Sequence, residues 1–169
     1  MRKLAAIAIS FATVGLATAP AMATDAKGNH ASYAWVIGAT TPSDSAMAPD
    51  GSTIALTGQG TLTAGPGSTA SGGGTFTTSA GGSGAWTATA VQGFVSYGSA
   101  GPDFPPGFTG GEAKLRVALS NGQTGVLTII CVLGSPPAGK MEGIQLVLGS
   151  GVSGEYTMQV EGNNVFIAI

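Results

Sequence analysis

Charged side chains are scarce in this sequence. Asp, Glu, Lys and Arg together make up 8% of it, against about 25% in ordinary globular domains. After the opening Arg2-Lys3 pair, only Lys114 and Arg116 lie close together among the basic residues. A nucleic-acid surface needs grouped cations that displace counterions from phosphates, so nucleic acid is not an expected partner. The same shortage argues against an anionic membrane surface. Cysteine occurs once, at Cys131, which excludes an intramolecular disulfide and leaves stability to packing and the sheet ladder. Cys131 lies inside the apolar run 126–133, where it reads as a buried, inert thiol. Histidine also occurs once, and His30 precedes every strand-like run. A Ser–His–acid site therefore lacks a positioned base. One cysteine and one histidine cannot make a zinc site. No nucleophile elbow surrounds Ser83, and Lys140 lacks the glycine spacing of a phosphate cradle. No cofactor is expected.

Long apolar runs are missing too. The run from Leu4 to Leu16 is too short to span a bilayer, which takes about 20 residues. With Arg2 and Lys3 before it and Ala21-Met22-Ala23 after it, it has the three parts of a secretory signal peptide. Residues 1–23 are the expected leader, cut before Thr24, and residues 24–169 one exported domain. Its destination is the medium, a periplasm or the cell wall, with no stable membrane anchor after cleavage. The exported part keeps four basic and eight acidic residues, for a net charge of −4 rather than the −2 of the whole chain.

Helix signals are almost absent, because glycines and β-branched residues interrupt every window long enough for an amphipathic helix. Period-two alternation is frequent. From Thr53 to Thr63, Ile54, Leu56, Gly58, Gly60 and Leu62 alternate with a threonine-rich face, and the two inward glycines allow a bend or a close backbone approach. Ala113, Leu115, Val117 and Leu119 oppose Glu112, Lys114, Arg116 and Ala118. Asn121-Gly122 predicts a tight turn into a second, central strand over 124–133. Further strands are expected at 33–38, 74–78, 85–97, 144–148, 155–160 and 165–169. Between Gly65 and Gly84 the glycine clusters read as two loops around a short edge strand at 75–78. The fold class is all-β, a single antiparallel β-barrel or β-sandwich of about nine strands. Its Ala, Gly and Thr bias resembles that of small secreted β proteins of bacteria.

The most unusual segment is 101–111, where Phe104 and Phe108 stand among prolines and glycines. Two readings fit. The rings are preorganised contacts for an apolar or sugar ligand, or they plug the end of the barrel or sandwich. Trp35 and Trp86 face the same choice between ligand platform and core. Asp44, Asp50 and Asp103, all expected in loops, are minor calcium candidates set against ordinary turn chemistry. Glu112, Glu155 and Glu161 read as surface positions. Three functions remain. The leading one is a non-enzymatic domain that binds a small ligand or a macromolecular surface. The second is a cofactor-free barrel isomerase or cyclase, using inward groups such as Tyr97 or Tyr156. The third is a structural or surface-coating protein, and the oligomeric state is open.

Overall fold

A computed structural model describes residues 30–149 and 155–169. The expected leader lies outside the described residues. Twelve strands form one antiparallel sheet: β1 (Ala31–Ile37), β2 (Asp44–Met47), β3 (Thr53–Leu56), β4 (Gly58–Ala64), β5 (Thr69–Thr78), β6 (Ser83–Ser99), β7 (Phe108–Leu119), β8 (Thr124–Cys131), β9 (Gly143–Leu148), β10 (Glu155–Tyr156), β11 (Met158–Glu161) and β12 (Asn164–Ala168). The nine expected runs become twelve for local reasons. Thr57 and Thr157 divide two of them, and Asp44–Met47 is an additional strand with no β-branched residue to announce it.

Consecutive strands pair from β5 through β9, and β6 bonds both β5 and β7. From β5 the pairing also runs through β4, β1 and β12 back to β7, so the ladder closes on itself. The last of the described strands lie along the first of them. β11 pairs with β2 and β12 with β1, while β10, one residue before β11, pairs with β9. Where β12 reaches β7, through Phe166 opposite Thr109, β8 and β9 have ended. That fork positions the site described below.

One face of the sheet is the core. Leu115, Leu127, Ile129, Ile144, Leu146 and Phe166 are completely enclosed. Cys131 is enclosed with them, and burial pushes its thiol up to about 11. The alternation expected on β7 holds, with Ala113, Leu115, Val117 and Leu119 buried and Lys114 and Arg116 exposed. The Asn121-Gly122 turn also forms. Gly122 has a φ of 87°, the Asn121 side-chain oxygen Oδ1 accepts from the Gln123 N–H, and β8 lies between β7 and β9.

The expected edge strand at 75–78 is corrected. β5 is ten residues long and internal, bonded by β3 and β4 along one edge and by β6 along the other. Its glycines lie against neighbouring backbone, and those of β4 are required by two indole rings. A Cβ at Gly58 would lie 2.5 Å from Trp86 Cζ2, and one at Gly60 would lie 2.5 Å from Trp35 Cζ2. A Cβ at Gly74 would strike the Thr57 carbonyl. Bare backbone therefore passes over the stacked Trp35 and Trp86 rings, whose centroids are 5.7 Å apart. Glycine's poor strand propensity is outweighed by the aromatic surface it lets the sheet cover.

Candidate functional site

Two clefts of similar size open on the surface. One, about 410 Å³, is a groove on the outer face of β6 to β9, around Thr89, Arg116, Val126 and Val147. It lies over the part of the β6–β7 ladder where the register shifts at Thr89 and Gln92. The other, about 400 Å³, lies at the fork where β12 replaces β8 and β9 as the neighbour of β7. Phe104, Phe108, Leu133 and Val165 supply apolar wall, and Glu142 and Asn164 supply polar groups.

The loop before β7 sets the wall. The Phe104 N–H donates to the Gly101 carbonyl and the Phe108 N–H to the Pro105 carbonyl, two successive turns that hold the rings on one side. Gly107, at a φ of 89°, closes the second turn, and its carbonyl accepts from the Ala168 N–H of the last strand. Neither ring plugs the interior. Phe104 is 41% exposed, and Phe108 is half-buried outside the core cluster.

The polar groups are tied to backbone. Glu142 Oε1 accepts from the Asn164 N–H at 2.6 Å and Oε2 from the Val132 N–H at 2.7 Å, so one carboxylate joins the ends of β8 and β9 to β12. Asn164 Nδ2 donates to the Ile130 carbonyl at 3.1 Å and the Gly143 carbonyl at 3.0 Å. Burial raises the Glu142 carboxyl above its ordinary range despite those backbone donors, and Asp44 adds to the shift. Its proton affinity is that of a group withdrawn from water.

Asp44 stands behind Asn164. It is corrected from a loop residue to the first residue of β2, completely enclosed, with Oδ1 accepting from the Asn163 N–H at 2.9 Å. Asp50 lies in an Asx turn, where its Oδ1 accepts from the Ser52 N–H and hydroxyl, and those bonds lower its carboxyl. Asp103 is exposed in the phenylalanine loop. Among the described residues, no three acidic, histidine or cysteine side chains gather in a way that would hold a metal ion.

No family model matches the chain, and no curated protein or solved structure matches it. The chemistry of the cleft rests on its own residues.

Trp35 and Trp86 leave the ligand set. They are 0% and 2% exposed and pack on each other against the glycines of β4, so no ligand reaches their faces. Tyr156 lies within the core. Tyr97, at a register shift in β6, is buried outside the main core cluster and donates to Glu112 at 3.3 Å. Burial and the Glu112 charge push its phenol up to about 12, which makes it a poor acid near neutral pH. For Glu112, burial raises the carboxyl, but the bond from Lys140 and the charges of Lys140 and Lys114 outweigh it and leave it lowered. Glu155 and Glu161 are exposed, as expected.

The sequence reading missed Glu142, Asn163 and Asn164. A signal for Glu142 was present, because 142 shares the parity of the inward residues Ile144, Leu146 and Leu148. An acid that continues an apolar alternation is placed at the end of the core.

Proposed function

We propose that this chain is an exported β-barrel domain whose fork cleft binds a small, largely apolar ligand carrying one hydrogen-bond donor. What supports the barrel is the closed circuit of pairings, in which β12 lies beside β1 and β11 beside β2. The single observation that carries the binding reading is that Phe104 and Phe108, on a loop tied down by its own turns, face the same cleft as Glu142. Small-ligand sites typically have this make-up, mostly apolar wall with a few fixed polar groups. A ligand hydroxyl or ammonium would donate to the remaining lone pairs of Glu142 while its apolar part covered the rings. The cofactor-free catalyst has less support, since Trp35, Leu115, Leu127 and Phe166 occupy the interior where its substrate would sit.

The neutral dye Nile red serves as probe. Fluorescence titration should give saturable binding that weakens about tenfold or more in Phe104→Ala/Phe108→Ala, because each ring covers apolar surface worth about 1.5–3 kcal/mol. Near-UV circular dichroism of the Trp35–Trp86 pair should be unchanged. Unchanged dye affinity in the double variant, or no binding by the wild type, overturns the reading.

A second reading, surface coating by self-association, is favoured by one observation. No Lys, Arg, His, Asp or Glu occurs from residue 51 to residue 102. The outer face of β4 and β5 instead carries hydroxyls that pair across strands, Thr57 with Thr75 at 2.8 Å and Thr61 with Ser71 at 2.9 Å. A face without charge lacks the repulsion that keeps copies of a protein apart. Under this reading sedimentation velocity shows a weight-average coefficient that rises with concentration, and Thr61→Lys/Thr75→Lys restores a concentration-independent value. A concentration-independent wild type removes it.

A further inference from the structure

Two oxygens in the enclosed cluster behind the cleft have no hydrogen-bond donor, Asp44 Oδ2 and Asn164 Oδ1. Both residues are buried, at 0% and 4% exposure, and the Asp44 carboxyl lies beside the Asn164 side-chain amide. Exchanging the amide's oxygen and nitrogen does not solve the problem. Nδ2 already donates to the Ile130 and Gly143 carbonyls, so the exchange would turn an oxygen toward two more acceptors. Gly162 seals the carboxyl from solvent, passing so close that a Cβ there would lie 2.9 Å from Asp44 Oδ2.

We propose that Asp44 carries a proton on Oδ2 in the native state and donates it to the Asn164 side-chain carbonyl. One hydrogen then satisfies both orphan oxygens, an outcome buried polar groups ordinarily reach. The surroundings agree. Burial raises the Asp44 carboxyl beyond what the Asn163 and Gly38 backbone N–H groups and the neighbouring Asn164 amide dipole offset, and Glu161 on β11 raises it further. Asp44 in turn raises Glu142, which precedes β9. Across β3 its partner is the apolar Leu56, and no Lys or Arg acts on it. The pair stands behind Asn164, a residue of the cleft, and holds whether or not the cleft takes a ligand.

The sign follows from linkage. A carboxyl whose native pKa is raised binds more protons folded than unfolded, so stability is full below the unfolded value of 3.8 and falls as pH rises toward the native one. Glu142 contributes in the same direction. The test is urea unfolding of the wild type, Asp44→Asn and Asp44→Ala from about pH 4 to about pH 8, with infrared difference spectra of wild type minus Asp44→Asn. Asparagine supplies the donor without a titration. The folded-to-unfolded ratio of Asp44→Asn relative to wild type should therefore rise with pH, by up to tenfold per unit across the window. Asp44→Ala should be less stable than Asp44→Asn throughout. The infrared difference should contain a protonated-carboxyl C=O band at pH values where free aspartate is ionised. A pH-independent loss in Asp44→Asn equal to that in Asp44→Ala, or absence of the band, overturns the proposal and assigns the orphan oxygens to a bridging water or cation.

Discussion

Trp86→Ala is expected to lower the stability of the domain by about 3–5 kcal/mol, a large share of the 5–15 kcal/mol typical of a whole domain. The indole is 2% exposed, stacks on Trp35 and donates from Nε1 to the Thr57 carbonyl at 2.9 Å, at the point where β3 passes into β4. Removing it opens a cavity and strips a buried carbonyl of its donor at once. Chemical denaturation measures the loss, and coupling to the glycines identifies its origin. Gly58→Ala places a Cβ 2.5 Å from Trp86 Cζ2 and should by itself cost about 1–3 kcal/mol. In the Trp86→Ala background that clash has no ring to meet, so the two losses should sum to more than the double variant shows. Additive losses would mean that the glycine is required by the backbone alone. Trp35→Phe should cost less than Trp86→Phe, because Trp35 Nε1 has no partner to lose.

Glu142→Ala is the second large effect, a loss of about 3 kcal/mol from leaving two backbone N–H groups without an acceptor. Val132 and Asn164 are 32 residues apart and meet only through this carboxylate, at 2.7 and 2.6 Å. Glu142→Gln keeps one acceptor oxygen and turns an NH2 toward the other N–H, so its loss should be about half as large. Hydrogen exchange gives the local readout. The amides of Val132 and Asn164 should lose protection in both variants, while those of Leu115 and Val117 on β7 keep theirs. Equal exchange at all four would make Glu142 a bystander.

Much of the fold was legible because its signals are local. The alternation of Ala113, Leu115, Val117 and Leu119 and the Asn121-Gly122 turn each lie within one short window, and both hold. The Thr53–Thr63 run was also read with its inward glycines in place. What was not legible depends on partners far away in the chain. Gly72-Gly73-Gly74 has the composition of a linker, and only the close approach of the β4 and β6 backbone on either side makes it strand. Asp44–Met47 has weak strand propensity and is held by β3 on one side and β11 on the other. At the site, Phe104 and Phe108 stood out as aromatics in a proline-rich loop. The groups opposite them did not, since Asn164 closes the run Gly162-Asn163-Asn164 between two expected strands, Glu142 stands alone before β9, and both acquire a role only where the sheet forks.

The cleft is the center of this account, and amide chemical-shift mapping during a Nile red titration tests it most directly. The account expects the largest shifts at Phe104, Phe108, Leu133, Asn163, Asn164 and Val165, saturating together with the dye's fluorescence. Shifts confined to the outer groove around Arg116, Val126 and Val147, or scattered over the surface without saturation, would contradict it.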